Sequence, residues 1–454
     1  MEFHCCVDNC PSTLQQEDIY ERRKQYLPSF KSVDYVSEEI SYEDFFLRYL
    51  IPNKPCVFSC KHTRHWRSRA EWVDEQGKPK FEFLKTNFGN AKVPVAICNE
   101  KEFDSHPKVE QTFSDYLEYW QDYISNSYPS DNQCLYLKDW HFVRAFPEYN
   151  AYKTPLYFCS DWLNEFWDTG ESSKDDYRFV YMGPKGSWTP FHADVLHSYS
   201  WSANICGKKQ WLLFPPGEEV HLRDKFGNLA FDVTSEDVHN PEMYPNYQKL
   251  SQQYKVIQHP GEIIFVPSGW HHQVWNVEDT ISINHNWLNG CSIDLTWNFL
   301  KRNLKDVENE ISDCQGMEGW NQQCQVVLKS LTGSDYTDFF ELCNNIGTKH
   351  LQFLSQSDKC STNEECDRGV GHCKTKGSQK EEQEVMTRNT SAEVSQHPNA
   401  DLEFQEHFVP LNNKCHSVFD LNRLRIVLES LVDTEQLECQ KEVQNLLHQL
   451  NSVF

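Results

Sequence analysis

Two rhythms of apolar residues divide this chain. Tyr42-Glu-Asp-Phe-Phe-Leu-Arg-Tyr-Leu50 repeats its apolar positions every three or four residues and predicts an amphipathic helix. Phe113-Ser-Asp-Tyr-Leu-Glu-Tyr-Trp120 predicts a second, its aromatic residues facing a core. Between them, Cys56-Val-Phe-Ser59 reads as a short strand. From about residue 176 to 290 the rhythm changes to short β segments punctuated by Gly and Pro. The predicted strands cover 177–181, 197–206, 210–214, 255–258, 262–266, 273–277 and 280–284. Helical spacing returns over 291–354. It appears again near the C-terminus, where Leu421, Leu424, Val427, Leu428 and Leu431 precede Leu446, Leu447 and Leu450.

Many short strands at regular spacing predict a mainly β protein with helical additions, its centre a barrel or jelly roll. The expected organisation is a tail over 1–30 and an α/β supporting region over 31–175. The β core follows over 176–290, then a helical region over 291–354. Residues 355–400 are polar and poor in large apolar groups, which predicts a disordered linker. A terminal helical segment over 401–454 would dock on the body or offer a surface for oligomerisation.

Composition narrows the function classes. At 454 residues the chain has room for two or three domains, or one large β domain with additions. Its net charge of −24 disfavours binding to phosphate backbones, so no direct nucleic-acid contact is expected. The same charge suits a basic protein partner. No apolar run approaches the roughly 18 residues of a membrane span, and the N-terminal residues lack a secretory pattern. The 18 cysteines include no CxxC pair and read as reduced thiols of a cytoplasmic or nuclear protein. Cys360, Cys366, His372 and Cys373 fit no compact zinc spacing.

The chemistry lies in two segments, Trp188-Thr-Pro-Phe-His-Ala-Asp194 and Gly269-Trp-His-His272. His192 and Asp194 are two apart, which on a strand turns both to one face. A histidine from a distant strand would complete two imidazoles and one carboxylate. That set leaves the opposite side of a metal open, as non-haem Fe(II) oxygenases require. His271 and His272 cannot both face the metal, because neighbours on a strand point opposite ways.

With these motifs in this order, the sequence resembles the JmjC (jumonji) family of Fe(II)- and 2-oxoglutarate-dependent oxygenases over roughly residues 30–290. The resemblance implies a double-stranded β-helix, or cupin-like jelly roll. It implies Fe(II) held by His192, Asp194 and His272, with 2-oxoglutarate and O2 as co-substrates. Relatives commonly carry Trp where this protein has His271, so His271 either packs in that place or lies just behind the ligands. The family register assigns Lys209, rather than Lys208, to the far carboxylate of 2-oxoglutarate, with the Thr189 hydroxyl beside it. It also implies cofactor contacts for Asn286, with Asn284 competing, and for Tyr181. Ser202 stands where several relatives have Asn, a departure that puts its contact in question. Within the family, the sequence is most similar to the lysyl hydroxylase of a translation termination (release) factor. The resemblance therefore implies a protein substrate, with Nε-methyl-lysine demethylation or a non-catalytic scaffold as alternatives.

Overall fold

The computed structural model describes residues 14–26, 31–169, 176–367, 413–434 and 439–454. Alternating strand patterns become thirteen strands among these residues. Five precede the core: β1 (Asp34–Val36), β2 (Cys56–Phe58), β3 (Lys92–Ile97), β4 (Lys108–Thr112) and β5 (Leu135–Trp140). Eight build it: β6 (Arg178–Gly183), β7 (Trp188–His192), β8 (Tyr199–Cys206), β9 (Lys209–Phe214), β10 (Tyr254–Gln258), β11 (Ile263–Val266), β12 (His271–Asn276) and β13 (Thr280–Trp287).

The eight core strands divide between two sheets, alternating except at the consecutive pair β9 and β10, which makes the core a double-stranded β-helix. One sheet has the order β10-β9-β12-β7. The other contains β11-β8-β13-β6 and is extended at both edges by the N-terminal strands, giving β1-β2-β11-β8-β13-β6-β5-β3-β4. Covering the edges in this way hides unpaired backbone groups. The two sheets are joined by an apolar cluster. Trp211, Tyr254 and Val274 of the smaller sheet meet Val57, Ile264 and Val266 of the larger. Every position of β13 is buried, because it lies mid-sheet between β6 and β8. Its far end continues to Trp287, beyond the expected end at 284.

The turn before β9 matters for the site. Gly207 adopts φ +72°, and a Cβ there would overlap the Asp279 carbonyl, so only glycine fits. This turn sets which of two adjacent lysines enters the barrel.

Helices wrap the β core on two sides. The predicted helix over 42–50 forms, but its second half, Phe46–Leu50, widens into a π-type turn. The helix Phe113–Ser125 buries Phe113, Tyr116, Leu117 and Trp120, as its spacing predicts. Beyond the barrel, Ile293–Glu310, Trp320–Thr332, Tyr336–Asp367, Lys414–Val432 and Gln440–Asn451 share a second apolar core. The C-terminal leucines are covered by the protein's own helices.

Two expected boundaries differ. The N-terminal tail contains the helix Gln16–Tyr26, and the expected linker begins late, because Tyr336–Asp367 runs through 355–367. The rest of that linker, with His372 and Cys373, lies outside the described residues.

The N-terminal helix is held by the buried Ile19 and by charge. Asp294, at the head of Ile293–Glu310, takes Arg23 Nη1 and Arg423 Nη2, each at 2.7 Å. Arg23 also donates to the Cys291 carbonyl at 2.5 Å, and Arg423 Nε to the Gly290 carbonyl at 2.9 Å. Despite burial, the two guanidiniums hold the Asp294 carboxyl down at about 2. Its contribution to stability is therefore full above the usual carboxylate pKa of about 4 and is lost as pH falls towards 2. Asp294→Ala should cost about 3–5 kcal/mol at neutral pH, because two buried cations lose their partner. Chemical denaturation across pH checks this, and the variant should show less acid dependence below pH 4.

Candidate active site

His192 and His272 meet because β7 and β12 pair antiparallel with these residues directly opposite each other. Their ring centroids lie 4.4 Å apart. Asp194 does not extend β7 as the i, i+2 argument expected. The strand ends at His192, and Asp194 follows in extended backbone (φ −64°, ψ 152°) before a tight helical turn. Extended geometry still carries its carboxylate to the histidines. One ligand atom from each of the three side chains lies within 4.8 Å of the other two, a cluster unique among the described residues.

The donor chemistry fits a divalent metal. His192 Nδ1 lies 2.8 Å from the Pro190 carbonyl and His272 Nδ1 lies 3.1 Å from the Trp270 carbonyl. A carbonyl can only accept, so both rings carry their proton on Nδ1 and present Nε2 lone pairs. Burial, then the neighbouring His272, lowers the His192 pKa to about 4, which keeps the ring neutral. Ser200 Oγ donates to Asp194 Oδ2 at 2.6 Å and fixes the carboxylate. His271 turns the other way. It packs against Phe191 and His197, and burial lowers its pKa to about 3.

All eight predicted site residues line one cavity of about 580 Å³: Tyr181, Thr189, His192, Asp194, Ser202, Lys209, His272 and Asn286. Lys209 is 2% exposed, and its Nζ donates to Ser282 Oγ at 2.7 Å and Tyr136 OH at 3.3 Å. Burial, then the charge of Lys138, lowers its pKa to about 7. Lys208 points outward and pairs with Glu278 at 2.7 Å, both side chains well exposed. Tyr181 donates to Asp139 at 2.6 Å. Asn286 Nδ2 donates to Ser198 Oγ at 3.1 Å, while Asn284 Nδ2 donates to Ser282 Oγ at 3.2 Å. Both asparagines line the cavity. Ser202 Oγ has no hydrogen-bond partner among the described residues.

Sequence reasoning misses three participants. Ser200 lies on β8 beside the carboxylate it holds. Tyr136 and Lys138 reach the cavity from β5, a strand of the supporting region. A signal was present in Leu135-Tyr-Leu-Lys-Asp-Trp140, where polar-tipped residues at 136 and 138 interrupt an apolar strand.

The JmjC domain, hydroxylase family matches residues 179–287, which span most of the eight-stranded core. The sequence is 54% identical over 360 residues to the 2-oxoglutarate and iron-dependent oxygenase JMJD4 of Danio rerio, covering 79% of this protein and 83% of that one. Identity to the Homo sapiens protein of the same name is 48%, covering 72% and 78%. Identity to the arginine-specific demethylase JMJ20 of Arabidopsis thaliana is 43%, covering 71% of each protein. Iron and 2-oxoglutarate are thus the cofactor and co-substrate, and a His-Asp-His cluster lies in this cavity. Barrel order, ligand cluster and these likenesses agree: the chain belongs to the JmjC family of 2-oxoglutarate- and iron-dependent oxygenases.

Proposed function

We propose that this protein is a lysyl hydroxylase that inserts oxygen into a C–H bond of a lysine in a translation termination release factor, coupled to decarboxylation of 2-oxoglutarate to succinate. One observation carries the reading: a single cavity contains both the His192–Asp194–His272 cluster and the buried Lys209. Iron, when bound, supplies the oxidising chemistry with O2 and the 2-oxo acid. The protein's own residues do the rest. The Pro190 and Trp270 carbonyls orient the two imidazoles, and Ser200 orients Asp194. Lys209 receives the far carboxylate, with Thr189 on β7 of the same sheet, across β12. The barrel walls would shield the bound C–H bond from bulk water.

The acidic group on the cavity wall that suits a cationic side group is Asp104; Asp139 and Asp176 also line the cavity but pair with Lys108 and Arg178. Beside that wall, Phe103 is 88% exposed in a left-handed backbone (φ 52°), and Asp104 follows directly. An exposed aromatic next to a reaction cavity suits a protein surface rather than a small metabolite. A release-factor substrate implies action in the cytoplasm.

Demethylation of an Nε-methyl-lysine or a methyl-arginine uses the same oxygen insertion, and the name of the Arabidopsis relative favours the arginine form. Mass spectrometry separates the two. Release factor treated with the protein, Fe(II) and 2-oxoglutarate should gain about 16 mass units on a lysine. A loss of about 14 units from a methylated residue would establish the demethylase reading instead. No change on either substrate class, with 2-oxoglutarate still consumed against another protein, would remove the release factor from the account.

A further inference from the structure

Lys138 is 7% exposed and lines the cavity. Among the described residues it has no hydrogen bond and no carboxylate at ion-pair distance. Two of its neighbours have hydrogen-bonding partners of their own. Asp139 pairs with Lys108 and accepts from Tyr181. Lys209 donates to Ser282 and Tyr136. What the Lys138 ammonium does meet is aromatic: the Tyr136 ring at 5.9 Å and the Tyr181 ring at 6.0 Å. Lys209 Nζ stands 5.8 Å from that same Tyr181 ring. Two buried amines therefore approach one ring, Lys138 from β5 and Lys209 from β9.

This placement is built into the backbone. The β5–β6 ladder loses register between Leu137 and Trp140. Within the break, Asp139 adopts φ +59°, a conformation unfavourable for a residue with a Cβ. Such irregularities re-aim side chains beside active sites. Tyr136 and Lys138, two apart on β5, both reach the cavity.

A buried ammonium without a partner is costly, and two close together repel each other. Burial draws the proton affinity of both amines down, against the opposing charge of Asp139 at Lys138, and the charge of Lys138 adds to the effect on Lys209. A doubly negative ligand relieves both. We infer that Lys138 is a second cation for the 2-oxo acid, closing on the dicarboxylate from β5 while Lys209 holds its far end from β9. This rests on the co-substrate role given above to Lys209. It makes the co-substrate pocket one of two lysines from opposite walls.

The test is calorimetric titration of 2-oxoglutarate into the 454-residue protein loaded with Mn(II) in place of iron, which measures binding without turnover. Lys138→Met should weaken 2-oxoglutarate binding about tenfold, Lys138→Gln should do likewise, and Lys138→Arg should recover most of the affinity. Lys209→Met, measured in parallel, should weaken binding more. Unchanged affinity in a folded Lys138→Met or Lys138→Gln protein, with Lys209→Met impaired, would overturn the inference and leave the co-substrate pocket standing. Unchanged affinity in Lys209→Met as well would overturn that pocket too. An increased KM for the protein substrate at unchanged 2-oxoglutarate affinity would turn Lys138 towards the polypeptide and so also overturn the inference.

Discussion

His272→Ala should abolish 2-oxoglutarate turnover, while His271→Ala keeps a substantial part of it. The asymmetry follows from the β12 ladder. His272 lies directly opposite His192 on β7, and adjacent strand residues face opposite sides. His272 Nε2 is free for metal because its Nδ1 is committed to the Trp270 carbonyl. His271 contacts Phe191 and His197, so its loss opens a packing defect behind the site but removes no ligand. Succinate formation by purified, iron-loaded variants decides it. Equal loss in the two variants, both folded, would mean that the strand register at Gly269-Trp270 is wrong.

Lys209→Ala should raise the 2-oxoglutarate requirement by about two to three and a half orders of magnitude. Removing one partner of a buried charge pair costs about 3–5 kcal/mol, and each 1.4 kcal/mol is about tenfold. Lys208→Ala should change it little. Lys208 pairs with Glu278 on the surface, where such bridges contribute about 0–1 kcal/mol. Thr189→Val should fall between, at about 1.5–3 kcal/mol for one hydrogen bond to a charged group. The Lys209 response should also depend on pH. With its pKa held near 7, the free amine loses its charge as pH rises through that value, so wild-type affinity for 2-oxoglutarate should fall on the alkaline side. Titrations of turnover against 2-oxoglutarate for the three variants test the ranking. Equal effects of the two lysine changes would point to diffuse attraction instead.

The barrel was legible because it is written locally. Short alternating runs end at Gly183, Gly207 and Gly261, and the strands end near them. The ligand trio was legible because few chemistries require His-x-Asp and a distant histidine. Tyr136 and Lys138 were not, because their entry depends on β5 pairing with β6, a long-range register that periodicity does not specify. Asn284 and Asn286 could not be separated for a related reason: two apart on one strand, they share the cavity. The helix Gln16–Tyr26 escaped notice because it carries little apolar surface and is held by Arg23 on Asp294. The helix Tyr336–Asp367 outran its expected end because its last turns are polar, so composition suggested a linker there.

The central claim is that iron and 2-oxoglutarate meet in one cavity on His192, Asp194 and His272. Anaerobic absorption spectroscopy tests it most directly. The Fe(II)-loaded protein should develop a weak visible charge-transfer band when 2-oxoglutarate is added, and Asp194→Ala should show none. A wild-type protein with no band at saturating 2-oxoglutarate, or an Asp194→Ala protein with the full band, would contradict the account.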